Sequence, residues 1–209
     1  MEKIYLSDSG PKVSPAIYGF YRWKGNYVNE DKIEQIMNLC LELDINTFDH
    51  GDTYGDYTCE EIFGNVFKRS GIKRESIVLF TKCGINVPHP ARPDYRVKHY
   101  DTSREHITNS VENSLRNLRT DYIDVFLLNQ LDPLSNLEET ALTLEKLKDS
   151  GKIKIHPVNP DSKSSLRWWG RCHPRDWHCA ENLGEIFHSP GRIAARTHSA
   201  LDRPRLGPA

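Results

Sequence analysis

Three side chains that can give or take a proton follow predicted β-strands in this sequence. Asp49 ends a short strand predicted for residues 45–49, Tyr54 lies five residues further in a glycine-bearing turn, and Lys82 ends a strand predicted for residues 76–83. The carboxyl ends of parallel strands meet at one edge of a sheet, where α/β proteins keep their active sites. An acid, a phenol and an ammonium are therefore candidates for one site. The ordinary alternative is that Asp49 caps the next turn, Tyr54 packs beneath it and Lys82 is a solvated rim residue.

The segments around these residues predict four strand–helix units in series. Ile33, Met37 and Cys40 recur at the spacing of one helix face. The predicted strands cover residues 16–21, 45–49, 76–83 and 122–128, and the predicted helices cover residues 29–44, 59–69, 102–118 and 136–150. This alternation predicts a parallel sheet with right-handed crossovers. An open doubly wound sheet and a closed barrel both fit it, although the first strand-to-helix turn lacks the Gly-x-Gly-x-x-Gly of the dinucleotide fold.

Local signals predict how the units begin, end and connect. Residues 1–14 predict a terminal hairpin. Residues 84–101, which contain three prolines, predict a long loop that either binds a ligand or is disordered. Two Ser/Thr-x-x-Glu capping boxes predict helix starts at Thr102 and Ser135, and Gly151 predicts the end of the last helix.

The composition allows a globular domain and excludes two classes of partner. The 209 residues include 37% apolar and 27% charged residues, with a net charge of −1. This balance supplies no basic field for nucleic acid. No run approaches the ~18 apolar residues of a membrane span, and the N-terminus lacks the apolar core of a signal peptide, so we expect a cytoplasmic protein. The five cysteines have no regular spacing, and we expect thiols rather than disulfides.

The composition changes beyond residue 154. Residues 155–209 contain three of the four tryptophans, and prolines interrupt every candidate helix or strand there. We therefore expect a folded part over residues 1–154 and a poorly ordered tail over residues 155–209, which a shifted reading frame or a foreign fusion would explain. Cys172-His173 and His178-Cys179 have the ligand types of a zinc site, but their spacing matches no standard finger, so we predict no metal site.

The order of motifs in residues 3–154 resembles the aldo-keto reductases, most closely the bacterial oxidoreductases of that superfamily. The matching motifs are Phe48-Asp49, Tyr54-Gly55, Glu60-Glu61 with Gly64, Phe80-Thr81-Lys82 and residues 121–128. The resemblance implies a parallel (β/α)8 barrel of the TIM type that binds NADPH at the carboxyl face of its strands. It also implies an NADP-dependent oxidoreductase that reduces a small aldehyde or ketone.

The resemblance assigns roles to individual residues. Tyr54 resembles the general acid that gives a proton to the carbonyl oxygen, Lys82 the cation that makes this phenol a better acid, and Asp49 the carboxylate that pairs with the lysine. Asn129 occupies the place of a histidine that orients the substrate, and an amide there can donate a hydrogen bond but cannot titrate. The resemblance also implies cofactor contacts by Gly19, Arg22, Trp23 and Asp49.

The barrel that the resemblance implies is incomplete here. A full barrel of this type takes about 250 residues and eight strands, whereas about four strand–helix units and the start of a fifth can be recognised. The family's Ser-Asn pair that holds the nicotinamide amide, and its late loops that bind the adenosine phosphate, have no counterpart in this sequence. We therefore keep a second hypothesis, a non-catalytic half-barrel that acts as a binding or scaffolding remnant and self-associates through open barrel edges.

Overall fold

A computed structural model describes residues 2–6, 10–23, 29–130 and 132–156. A β-hairpin begins the chain, and alternating strands and helices follow. In chain order the elements are β1 (Ile4–Tyr5), β2 (Lys12–Val13), β3 (Ile17–Gly19), α1 (Glu30–Glu42), β4 (Thr47–Asp49), α2 (Cys59–Ser70), β5 (Val78–Cys83), β6 (Ile85–Asn86), β7 (His99–Tyr100), α3 (Arg104–Asn117), β8 (Ile123–Leu128), α4 (Leu137–Asp149) and β9 (Ile153–Ile155). Within the described ranges, every helix is too short or too polar to cross a membrane.

Five parallel strands form the central sheet in the order β3-β4-β5-β8-β9. Each of them pairs with the next parallel strand along the chain, and the order never reverses. A doubly wound sheet reverses where its two halves meet, whereas a barrel adds its strands in one direction. The structure therefore confirms the parallel (β/α)8 barrel type, of which the described residues form a five-stranded arc.

The helices cover one face of this arc with the apolar stripes seen in the sequence. In α1, Ile33, Met37 and Cys40 are buried as predicted. The Asn29 side chain caps this helix by accepting a hydrogen bond of 2.9 Å from the backbone N–H three residues on. These buried side chains join Phe63 of α2 in a layer between the helices and the sheet. The same layer lies directly behind the strands that end at the candidate site.

The starts of α3 and α4 differ from the predicted capping boxes by one residue. Ser103 and Asn136 cap the two helices, each accepting a hydrogen bond from the backbone N–H three residues on. The predicted caps, Thr102 and Ser135, instead share a hydrogen bond of 2.6 Å between their hydroxyls. The predicted positions were wrong because this contact between two distant loops competes with the local capping pattern. Gly151 follows α4 with a φ of 77°, as its predicted role requires.

The N-terminal hairpin covers the face of the sheet opposite the helices. Alternation along β5 directs Leu79 to the helix side and Val78 and Phe80 to the other side. Leu6, which follows β1, and Val13 of β2 pack against this second side. The antiparallel pairing of β1 with β2 confirms the predicted hairpin.

The tail predicted for residues 155–209 falls almost entirely outside the described ranges. Ile155 completes β9, which pairs with β8, and the last described residue is His156. The Cys172-His173 and His178-Cys179 positions lie outside the described residues. The division at residue 154 therefore stays a prediction.

Gly64 allows α2 to approach the end of α3 closely. An added Cβ would overlap the carbonyl oxygen of Asn117 and lie 2.8 Å from the Cα of Leu118. Alanine normally stabilises a helix interior over glycine by about 1 kcal/mol. Here we expect Gly64→Ala to lower the free energy of unfolding in urea by about 1–3 kcal/mol through overpacking. Glu61→Ala, at a well-exposed side chain of the same helix, should change it by less than about 0.5 kcal/mol. Equal effects of the two substitutions would contradict the tight contact.

Candidate active site

Lys82 and Asp49 form a buried ion pair at the carboxyl ends of β5 and β4. The Nζ of Lys82 lies 2.7 and 2.9 Å from the two carboxylate oxygens of Asp49 and 2.6 Å from the carbonyl oxygen of His50. The Lys82 side chain is 2% exposed, whereas that of Asp49 is 19% exposed. The ammonium is therefore shielded from water, while the carboxylate stays partly exposed to water.

The register of the strands brings the two charges together. Asp49 pairs with Phe80, and Lys82 lies two residues further along β5. The chain beyond β4 continues this pairing, since the backbone N–H of Asp52 donates to the carbonyl of Lys82 at 3.0 Å. The turn that follows β4 is therefore held against β5, and Tyr54 arrives beside Lys82.

The Tyr54 ring lies next to the ammonium. The Nζ of Lys82 is 4.7 Å from the centre of the ring, and Tyr54 is 9% exposed. Gly51 allows this approach, because a Cβ there would lie 3.0 Å from Cε1 of Tyr54 and 3.1 Å from Cγ of Lys82. Gly55 has a φ of 60°, a left-handed conformation that glycine adopts without strain. The structure thus brings the phenol, the ammonium and the carboxylate of Asp49 together, and their roles in a reaction stay a prediction.

Burial and charge act on the pKa of Tyr54 in opposite directions. Burial raises this pKa, the neighbouring Lys82 lowers it and Asp49 raises it, and the net shift is upward. For Lys82, burial alone would lower the pKa, but Asp49 and Tyr54 raise it overall. The resemblance implied that Lys82 makes this phenol a stronger acid. Lys82 does act in that direction, but burial outweighs it, so at neutral pH the phenol keeps its proton and the amine its charge.

His50 is a buried aromatic residue to which sequence reasoning assigned no role. Its ring stacks on Phe20 with centroids 4.5 Å apart and meets Phe63 edge to face at 4.4 Å. In the part of the chain that the structure describes, neither ring nitrogen has a hydrogen-bond partner. Burial and the charge of Lys82 lower the pKa of His50 to about 3. The ring therefore stays neutral, and its stacking fixes the carbonyl that accepts from Lys82. Its place directly after Asp49 was the one sequence signal for such a role.

A buried carboxyl group holds the other side of β5. Glu60 of α2 accepts hydrogen bonds from the hydroxyl of Thr81 at 2.6 Å and from the hydroxyl of Ser114 at 3.1 Å. Burial raises the pKa of Glu60, although these donors and Asn117 act to lower it. Glu60 therefore ties β5 to α2 and α3 one residue away from Lys82. The sequence showed Glu60 as part of a motif but gave it no role.

Asn129 follows β8 at the same edge of the sheet. Lys82 pairs with Leu127, and the backbone N–H of Asn129 donates to the carbonyl of Cys83 at 2.7 Å. Asn129 therefore lies two residues beyond the level of Lys82 on the adjoining strand, where it is half-buried. The role predicted for it in orienting a substrate stays a prediction.

The residues predicted to contact a cofactor do not all lie on one surface. Gly19 ends β3 beside Asp49, since a Cβ at Gly19 would lie 3.9 Å from the carboxylate. Arg22 is exposed in the loop that follows β3. Trp23 lies in the layer beneath the helices, where its Nε1 donates to the hydroxyl of Tyr18 at 3.3 Å. Gly19 and Asp49 can thus contact one ligand, while Trp23 supports the loop, and the predicted cofactor contacts stay a prediction.

An open cleft of about 160 Å³ lies beside Tyr54. Tyr21 forms one side, with its ring edge to face against Tyr54 at 5.3 Å. The other lining residues are Thr53, Asp56, Tyr57, Val87, Pro88 and His89. Part of the loop predicted for residues 84–101 therefore lines the cleft. Sequence reasoning missed Tyr21, Tyr57 and His89 because they come from three separate loops, and no local spacing connects them.

Comparisons with known proteins find relatives of this chain. The model of the aldo/keto reductase family matches residues 16–158. The uncharacterized oxidoreductase YcsN of Bacillus subtilis (strain 168) is 43% identical over 159 residues, which cover 76% of this chain and 53% of that protein. The 6-dehydroglucose reductase of Agrobacterium fabrum (strain C58 / ATCC 33970) is 40% identical over 170 residues, which cover 81% of this chain and 55% of that protein.

A solved structure also has a fold similar to that of this chain. The holo form of aldo-keto reductase AKR11C1 from Bacillus halodurans matches with a TM-score of 0.65 and 32% identity, over 75% of this chain and 49% of that one. The chain spans about half the length of the curated relatives it matches. The residues that the family model matches, 16–158, include Asp49, Tyr54 and Lys82.

The depressed pKa of His50 predicts a specific loss of stability in acid. The unfolded chain takes up the proton near the ordinary value of 6.5, but the folded chain does so only near 3. The neutral ring of His50 therefore contributes its full stabilisation of the fold above pH 6.5, and this stabilisation is lost as the pH falls toward 3. His50→Phe keeps the aromatic packing and has no titration. We expect its free energy of unfolding, measured in urea at a series of pH values, to fall less steeply in acid than that of the wild type. Parallel curves would show that His50 is not buried as a neutral ring.

Proposed function

Because this chain belongs to the aldo/keto reductase family, we propose that it reduces aldehydes or ketones with NADPH and that Tyr54 is its general acid. The contact of Tyr54 with the buried Lys82–Asp49 pair, beside an open cleft, is the observation that carries the proposal. Membership of the family and its oxidoreductase relatives support carbonyl reduction in general. The preference for NADPH and the role of each side chain are our own proposals.

Tyr54 would supply the proton of the reaction. As the carbonyl carbon accepts a hydride, the oxygen becomes negative and takes the phenolic proton, so an alcohol forms and Tyr54 is left as a phenolate. Lys82 lies close enough to stabilise that negative charge. Asp49 keeps Lys82 charged and in place. Because the pKa of Tyr54 is raised, the phenol stays protonated until the carbonyl oxygen becomes negative and accepts the proton.

The residues at the end of β3 fit a nicotinamide cofactor. Gly19 presents backbone without a side chain beside Asp49, so a flat ring can approach both residues. Arg22, exposed in the next loop, offers a positive charge to a phosphate. Gly19, Arg22 and Asp49 would therefore hold the cofactor, and Trp23 would support the loop that carries Arg22. When bound, NADPH supplies the hydride.

Tyr54→Phe tests the assignment of the acid. This substitution keeps the ring but removes the proton, and a general acid contributes about 10²- to 10⁴-fold to a rate. We expect the variant to lose NADPH-dependent turnover of a generic aldehyde by at least about 100-fold, while NADPH binding, followed by fluorescence titration, is retained. Tyr5→Phe, at a residue that is 64% exposed in the N-terminal hairpin, is the matched control and should keep full turnover.

The same measurements separate the reductase from the non-catalytic half-barrel. Unchanged turnover in Tyr54→Phe would reject the tyrosine as the acid. NADPH binding tighter than about millimolar without any turnover in the wild type would favour a binding remnant instead, and sedimentation of that protein as a dimer would support self-association through the barrel edges.

A further inference from the structure

One wall of the cleft is fixed by an unusual backbone conformation at Tyr57. Asp56 and Tyr57 have φ values of 57° and 68°, in the left-handed region that non-glycine residues rarely adopt. The hydroxyl of Tyr57 accepts a hydrogen bond of 2.8 Å from the N–H of Val87 and donates one of 2.9 Å to the carbonyl of Val87. Such strain persists only where surrounding contacts determine the conformation. The two bonds therefore hold the loop after β6 against the turn that follows Tyr54.

His89 stands on this fixed loop in a defined tautomer. The N–H of Arg92 donates to the carbonyl of His89 at 2.8 Å, which closes a turn with Pro90 at its second position. The N–H of Ala91 donates to Nδ1 of His89 at 3.2 Å. Because a backbone N–H can only donate, Nδ1 must present its lone pair, and the neutral ring must carry its hydrogen on Nε2. The ring also packs against Tyr57, with centroids 5.8 Å apart.

The Nε2–H of His89 is a donor at the edge of the cleft. His89 and Tyr54 line the same cleft, and within the described ranges Nε2 makes no hydrogen bond. The position that resembles the family's substrate-orienting histidine holds Asn129 instead. The imidazole that lines this cleft thus comes from a different loop, and a ligand bound beside Tyr54 would occupy the cleft that His89 lines.

We propose that His89 is a specificity residue whose Nε2–H donates to a second oxygen of the carbonyl substrate. The chain would then prefer hydroxylated aldehydes and ketones over compounds with the carbonyl alone. This inference rests on the proposed reductase function, because it identifies the class of substrate for that site. A net hydrogen bond of ordinary strength would give a preference of about three- to tenfold.

Hydroxyacetone and acetone test the proposal, because they differ by one hydroxyl. In the purified full chain, nitrogen NMR should show His89 as the Nε2–H tautomer. Added hydroxyacetone should shift its Nε2 signal, and acetone should not. His89→Phe, which keeps an aromatic ring against Tyr57, identifies the signal by its loss. The Nδ1–H tautomer, or an equal response to both ketones, would overturn the proposal without any need for turnover.

Turnover gives the second measurement. In His89→Phe the ratio of kcat/KM for hydroxyacetone to that for acetone should fall about three- to tenfold, because only hydroxyacetone loses a hydrogen bond. His99→Phe removes a histidine of β7, the strand that follows this loop; His99 pairs with Asn86 rather than lining the cleft, and its substitution should keep the wild-type ratio. An unchanged ratio in His89→Phe would reject the role of His89. A wild type that reduces neither ketone would reject the proposed function, and the NMR result would then decide the binding role of His89 alone.

Discussion

The burial of one ammonium group is the constraint on which the site depends. Lys82 is 2% exposed, and a buried charge without partners costs several kcal/mol. Its partners include the carboxylate of Asp49, which ends β4 next to β5, and the carbonyl of His50, the residue that follows. The ion pair therefore exists only when β4 and β5 are paired in this register. A shift by one residue would exchange the two faces of β5 and leave the ammonium among the apolar side chains of the helix layer.

The two faces of β5 connect the site to the outer helices. Lys82 contacts Asp49 on one face, and the preceding residue, Thr81, donates to the buried Glu60 of α2 on the other. Glu60 also contacts Ser114 of α3, and Gly64 lets these two helices meet. The position of the ammonium is thus set from both sides of the sheet. Packing between helices that contact no substrate contributes in this way to the geometry of the acid, the phenol and the ammonium.

Local patterns in the sequence predicted the helices and strands. Contacts between distant segments determined the helix caps and the wall of the cleft, which those patterns could not predict. The apolar spacing of Ile33, Met37 and Cys40 was enough to predict α1. The barrel type could not be predicted from local spacing, because it depends on the order of the strands in the sheet. The caps at Ser103 and Asn136 were displaced because Thr102 and Ser135 bond each other. The roles of the site residues were proposed from a resemblance. The cleft wall formed by Tyr57 and His89 could not be predicted from the sequence, because it joins two loops about 30 residues apart.

The raised pKa of Tyr54 bears on the direction of the proposed reaction. A phenol that holds its proton more firmly is a weaker acid at rest, but it is fully protonated at neutral pH and is therefore ready to donate. Oxidation of an alcohol would instead need the phenolate, which burial disfavours. Lys82 resolves the apparent conflict, because its charge stabilises the phenolate only after the proton has left. In the proposed reaction, the buried phenol can thus donate its proton to the carbonyl oxygen, and the charged Lys82 stabilises the phenolate that remains.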